Sequence, residues 1–110
     1  MEKVVKYWKQ EEGYDCIWNA NCFCAYSIGD GEFFIAHFYV KHRKGGAAKK
    51  FFEEVKLVAK SLGCDRLTGV LHLNDANAEN YTHKLMIQLR HGYKILSVDT
   101  NRITVIYELT

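Results

Sequence analysis

Two glycines and two alanines follow an arginine and a lysine at Arg43-Lys44-Gly45-Gly46-Ala47-Ala48, and the clearest chemistry of the chain lies there. Backbone without bulky Cβ substituents can approach an anion closely and can adopt positive φ. A helix starting at that point has first amides with no intrahelical acceptor, and the positive end of its dipole faces outward. Such a terminus binds phosphate. The dipole contributes about 0.3–1 kcal/mol at an exposed site and up to about 2 when partly buried. Each N–H hydrogen bond to a charged acceptor adds roughly 1.5–3 kcal/mol. Lys41, His42, Arg43, Lys44, Lys49 and Lys50 surround the segment with positive charge. No Ser, Thr, Asp or Asn caps the expected helix, so its amides are left for a ligand. The other reading is a tight strand–helix junction whose glycines serve geometry alone, but a plain junction has no need of a basic cluster on both sides. The spacing is neither the G-x-x-x-x-G-K-[ST] of a P-loop nor the G-x-G-x-x-G of a dinucleotide-binding turn. It is Arg43-x-x-Gly46-x-Ala48.

The elements that must hold this turn follow from periodicity. Val4, Val5 and Trp8 fall at helical spacing within residues 2–12, and Gly13 ends that helix. Tyr14–Trp18 and Cys22–Ile28 read as strands around an Asn19-Ala20-Asn21 turn, and Gly29-Asp30-Gly31 is a hairpin signal. Glu32–Lys41 is almost continuously apolar, the pattern of a central strand buried on both faces. From Gly46 to Leu62 the period is helical, with Phe51, Phe52, Val55, Val58, Ala59 and Leu62 forming one apolar stripe. Leu67–Leu73 is a strand. A polar break at Asn74–Asn77 precedes a helix to about Arg90, with Tyr81, Leu85, Met86 and Leu89 inward. Tyr93–Val98 and Arg102–Leu109 form a final hairpin around Asp99-Thr100-Asn101. This order predicts an α/β (α+β) fold, a mixed central sheet with helices on both faces, and a parallel crossover between the central strand and the strand at 67–73.

In that setting the sequence resembles the GNAT-type N-acetyltransferases, whose pyrophosphate signature R/Q-x-x-G-x-G/A lies between a central strand and a helix. Arg43, Gly46 and Ala48 match it. Asn77-Ala78 before a helix, Gly92-Tyr93 after it and the last hairpin extend the resemblance over residues 14–110. It implies one GNAT-like domain over residues 1–110 and transfer of an acetyl group from acetyl-CoA to a primary amine. It also implies that the central strand and its parallel neighbour splay apart to admit the acyl-CoA. Phe38, Tyr39 and Val40 would pair with the amide-bearing arm, as an added strand would. Arg43, Lys44, Gly45, Gly46, Ala47 and Ala48 would hold the phosphates, with Asn77 beside them. Glu32 and His37 lie on the strand where members often place a base, and His37 has the intrinsic pKa for it. Tyr81 is two helical turns before Gln88, which stands where many members carry a tyrosine that protonates the leaving thiolate. Glutamine cannot act as a general acid, although a thiolate with a pKa of about 8.5 does not strictly need one. The alternative is a GNAT-fold interaction module with weak or no catalysis.

Composition narrows the remaining classes. The chain has 110 residues, one domain's worth, with 48% hydrophobic and 25% charged residues. A net charge of +2 argues against nucleic acid as partner. No apolar run approaches the roughly 20 residues a spanning helix needs, and no signal peptide is visible, so the cytosol is expected. Monomer and homodimer both remain open. Cys16, Cys22, Cys24 and Cys64 lack the C-x-x-C spacing of a metal site and read as small buried hydrophobes, with Cys22 and Cys24 on one strand face. No nucleophile elbow, H-E-x-x-H or other metal constellation is present.

Overall fold

The computed structural model describes residues 1–41, 46–72 and 85–109. Helix α1 (Glu2–Gln10) precedes strands β1 (Asp15–Trp18), β2 (Cys22–Gly29) and β3 (Glu32–Val40). Helix α2 (Ala47–Ser61), β4 (Arg66–His72), β5 (Lys94–Val98) and β6 (Arg102–Glu108) follow, and residues 85–90 are helical. Local chemistry sets the turns. Asp30 (φ 53°) and Gly31 (φ 77°) are both left-handed and close the Gly29↔Glu32 pair as a two-residue hairpin. Asn19 Oδ1 accepts hydrogen bonds from the amides of Asn21 (2.8 Å) and Cys22 (2.9 Å). Asp99 Oδ1 does the same for Asn101 (3.0 Å) and Arg102 (3.1 Å).

The strands form one sheet in the order β1-β2-β3-β4-β6-β5. Every pairing is antiparallel except β3 with β4, the pair linked through α2. On one face α2 buries Phe51, Val55 and Ala59 against Cys22, Cys24, Phe33 and Leu67. A second cluster (Leu71, Tyr93, Ile103 and Val105) adjoins it, and Phe52 and Tyr107 touch both. On the other face α1 packs Val5 and Trp8 over Phe23 and Ala25. Helices thus cover both faces of a mixed sheet, as the element order predicts.

Three expectations from the sequence need correction. The central strand is not buried on both faces: Phe33 is fully buried, but His37, Phe38 and Tyr39 are exposed. The reason is that β4 accompanies β3 for only four residues, from Glu32↔Arg66 to Ile35↔Gly69. Leu62 lies outside the α2 stripe at 48% exposure, because it is the C-cap residue where the helix has already turned away. Met86 and Leu89 are likewise exposed, while Leu85 and Gln88 take the half-buried positions of that helix. The cysteines behave as expected of small hydrophobes. Cys22, Cys24 and Cys64 are buried in the α2-side core, Cys16 is half-buried on β1, and all four are free thiols.

Candidate functional site

A break in the regular ladder of β3 creates the site. Ala25 pairs with His37 and Tyr26 with Ile35, so Ala36 is an extra residue, a β-bulge. A bulge bends its strand and increases the local twist. Ala36 and His37 therefore both lie on the α1 side, Ala36 against the Phe23 cluster and His37 against the Trp8 ring. Phe33, Ile35, Phe38 and Val40 stay on the α2 side, despite the odd step between 35 and 38. Parallel pairing with β4 ends at this bulge, while pairing with β2 continues to Val40↔Cys22. From Ala36 onward the β4-facing edge of β3 is unpaired with β4, and the two strands part.

The departing edge carries Phe38, 37% exposed, and Tyr39, 48% exposed. The Phe38 ring leans on Phe51 (centroids 5.4 Å apart) and meets Phe52 edge-on at 6.5 Å. Past Lys41 the described chain resumes at Gly46, where α2 starts. Gly46 is left-handed (φ 76°, ψ 12°) and is the N-cap, with no side-chain cap and no acidic residue in the first turn. Among the described residues, a Cβ there would meet nothing within 4 Å. The first intrahelical bond runs from the Lys50 amide to the Gly46 carbonyl (3.1 Å). The amides of Ala47, Ala48 and Lys49 precede it and point out of the helix end. Ala47 and Ala48 are half-buried, and Lys49 and Lys50 are exposed beside them. An anion placed at this terminus would face amides, dipole and ammonium groups together.

The other sequence candidates fall in different places. His37 stacks on Trp8, ring centroids 5.4 Å apart at 16°, one residue before Phe38 and on the opposite face. Glu32 is at the far end of β3, about 20 Å from Phe38 at 3.3 Å per residue. There it accepts a hydrogen bond from Thr68 Oγ1 and lies 3.8 Å from an Arg66 guanidinium nitrogen. It ties β3 to β4 where they are paired and is not brought to the parting. Arg43, Lys44, Gly45, Asn77 and Tyr81 lie outside the described residues. Among the described residues, no three His, Cys, Asp or Glu side chains converge as a metal site would require, and no helix is long and apolar enough to cross a membrane.

Two features of the site escape sequence reasoning. The bulge at Ala36 has no residue signature, and only the 33-35-38-40 apolar spacing hints at it. The inward turn of Gln88 is masked by the more apolar Met86 and Leu89 beside it. A cavity of about 250 Å³ at the other end of α2 is lined by Lys56, Lys60 and Tyr107. The Lys56 ammonium is already held there by Glu53 (2.7 Å) and the Tyr107 hydroxyl (3.3 Å).

No family model matches the sequence, and no curated protein matches it. Solved structures do match the fold. An acetyltransferase of the GNAT family from Desulfovibrio desulfuricans superposes with a TM-score of 0.77 at 14% identity, over 99% of this chain and 78% of its own. A GNAT family acetyltransferase from Elizabethkingia anophelis with acetyl-CoA bound gives 0.68 at 15% identity, covering 97% and 82%. The anti-CRISPR protein AcrVA5 gives 0.57 at 18% identity, covering 81% of this chain and 94% of its own. Solved GNAT structures of low sequence identity thus share the overall architecture of this chain, which has the fold of the GNAT-type N-acetyltransferases.

Proposed function

We propose that the protein is an N-acetyltransferase that moves an acetyl group from acetyl-CoA to a primary amine. The observation that carries this reading is the parting of β3 from β4 beside an α2 terminus with no side-chain cap. Bound acetyl-CoA supplies an activated acyl thioester. In this reading the Ala47, Ala48 and Lys49 amides hold its diphosphate, with Arg43, Lys44 and Gly45 completing the turn and Asn77 beside it. The edge of β3 at Phe38, Tyr39 and Val40 aligns its arm by main-chain pairing. Backbone amides at that edge polarise the thioester carbonyl, and the amine attacks it directly. His37, on the α1 face of the same departing edge, accepts the amine's proton from that side, directly or through water. Tyr81 is a second candidate for proton transfer. The acetyl-CoA complex of the Elizabethkingia protein supports the choice of cosubstrate.

A second reading has its own observation. By the resemblance, Gln88 stands where many members carry an acid tyrosine, and glutamine cannot act as a general acid, which favours a weak or inactive module that still binds CoA. Thermal unfolding and thiol release separate the two. Acetyl-CoA at about 100 Kd should stabilise by roughly 2.7 kcal/mol, a rise of about 10 °C in Tm. Thiol release with a panel of amines then marks the enzyme, and its absence marks the module. Gly46→Asn and Gly46→Asp test the terminus, since both residues tolerate left-handed backbone and differ only in charge. The aspartate should weaken CoA at least about tenfold more than the asparagine, by repulsion where the diphosphate sits. Equal effects would place the diphosphate elsewhere.

A further inference from the structure

The helical turns at residues 85–90 carry a polar group that the fold does not use. Among the described residues, Gln88 Oε1 is the buried side-chain nitrogen or oxygen atom with no hydrogen-bond partner. A carbonyl oxygen removed from water and given no donor destabilises the state that holds it so. Its position is informative. Leu85, one turn earlier, packs against the Leu71, Tyr93, Ile103 and Val105 cluster. Residues three apart share a helix face, so Gln88 is turned the same way. Leu71 lies two residues beyond Gly69, the last β4 residue paired with β3. Phe52 touches the same cluster and also reaches Phe38 on the departing edge. Leu85 thus packs on the α2 side by the stretch of β4 that β3 has left, and Gln88 shares its helix face.

We infer that Gln88 accepts a hydrogen bond from an N–H of the ligand lodged between β3 and β4, making it a ligand-binding residue whose carboxamide the fold holds ready. The inference rests on the CoA reading above. Two parts of the reacting pair offer the required N–H: an amide of the acyl carrier's arm and the entering amine. A carboxamide does not titrate, so a hydrogen bond from the carrier's amide contributes equally at any working pH.

Gln88→Met tests this, because it keeps the unbranched side chain and removes the acceptor. Free of ligand, the variant should melt at or above wild type, by up to about 4–8 °C, since a buried unpaired oxygen is gone. Either the Kd for CoA, by the same factor at pH 6.5 and pH 8.5, or the KM for the amine at saturating acetyl-CoA should rise about five- to tenfold. A rise in the CoA Kd identifies the carrier's amide as donor, and a rise confined to the amine KM identifies the amine. A melting temperature below wild type overturns the proposal whatever the binding, because the oxygen would then serve the fold. Unchanged Kd and KM in a variant of a CoA-binding wild type overturn this proposal alone. A wild type that binds no CoA overturns the parent reading and this one together.

Discussion

Cys24 is the thiol most affected by its surroundings. It is fully buried under α2, and that burial, aided by Cys16 nearby, pushes its pKa from 9.0 up to about 12. Burial raises Tyr93 in the same direction. Both groups bind their proton more tightly folded than unfolded. The stability they contribute is therefore fully present below about pH 9 and is lost as pH rises toward 12. The melting temperature should be level through neutral pH and fall from about pH 9 upward. Cys24→Ala should lower the plateau, because it leaves a small void, and flatten the alkaline fall. An equally steep fall in that variant would show that Cys24 does not govern it. Thiol labelling of the native protein at pH 8 should reach Cys16 first, since it is half-buried where Cys22, Cys24 and Cys64 are buried, although burial shifts all four thiols upward.

At the scale of the elements, β3 shows what the sequence could and could not reveal. Strands, helices and turns were legible because each rests on local signals: the Asp30-Gly31 turn, the Asn19 and Asp99 caps, the 3.6-residue stripe of α2. The uncapped α2 terminus was legible for the same reason, being a statement about which residues are missing over one turn. The parting of β3 and β4 was legible only through resemblance, since where a parallel pairing stops depends on residues far apart in the chain. An apolar run such as Phe33–Val40 looks doubly buried when it is an alternating strand with one phase slip. Deleting Ala36 should remove that slip. Ile35, His37 and Phe38 would then alternate regularly against β2, the strand would straighten, and β3 could run on beside β4. Such a variant should keep its far-UV circular dichroism and lose most of the acetyl-CoA-induced rise in Tm. A rise as large as that of wild type would mean that the bulge does not create the opening.

The whole molecule is two half-sheets joined at a narrow seam. Among the described residues, strands β1–β3 and strands β4, β6 and β5 pair through four residue pairs of β3 and β4, and the α2-side core of Phe33, Phe51, Val55 and Leu67 spans the same junction. On the α2 face Phe52 bridges them: its ring lies 6.5 Å from Phe38 on one side, and 5.5 Å from Tyr93 and 5.6 Å from Tyr107 on the other. The Lys56 ammonium lies 5.0 Å from the Phe52 ring centroid and 4.9 Å from that of Tyr107, reinforcing the same junction. A sheet opened for a ligand gives up strand pairing there, and side-chain packing across the seam must restore cooperativity. Both tryptophans, Trp8 and Trp18, belong to the first half, so their fluorescence reports that half alone, while circular dichroism reports both. In wild type the two probes should trace one urea transition. Phe52→Ala should cost about 2–3 kcal/mol, less than a fully buried phenylalanine because the ring is half-exposed, and should pull the two transitions apart. Leu57→Ala, on the same helix but 67% exposed, should change stability by less than about 0.5 kcal/mol and leave them coincident. If the probes still coincide in Phe52→Ala, the seam is held without Phe52, by the four backbone pairs and by the Phe33, Phe51, Val55 and Leu67 core that spans it. Saturating acetyl-CoA, lodged between the halves, should bring the separated transitions back together.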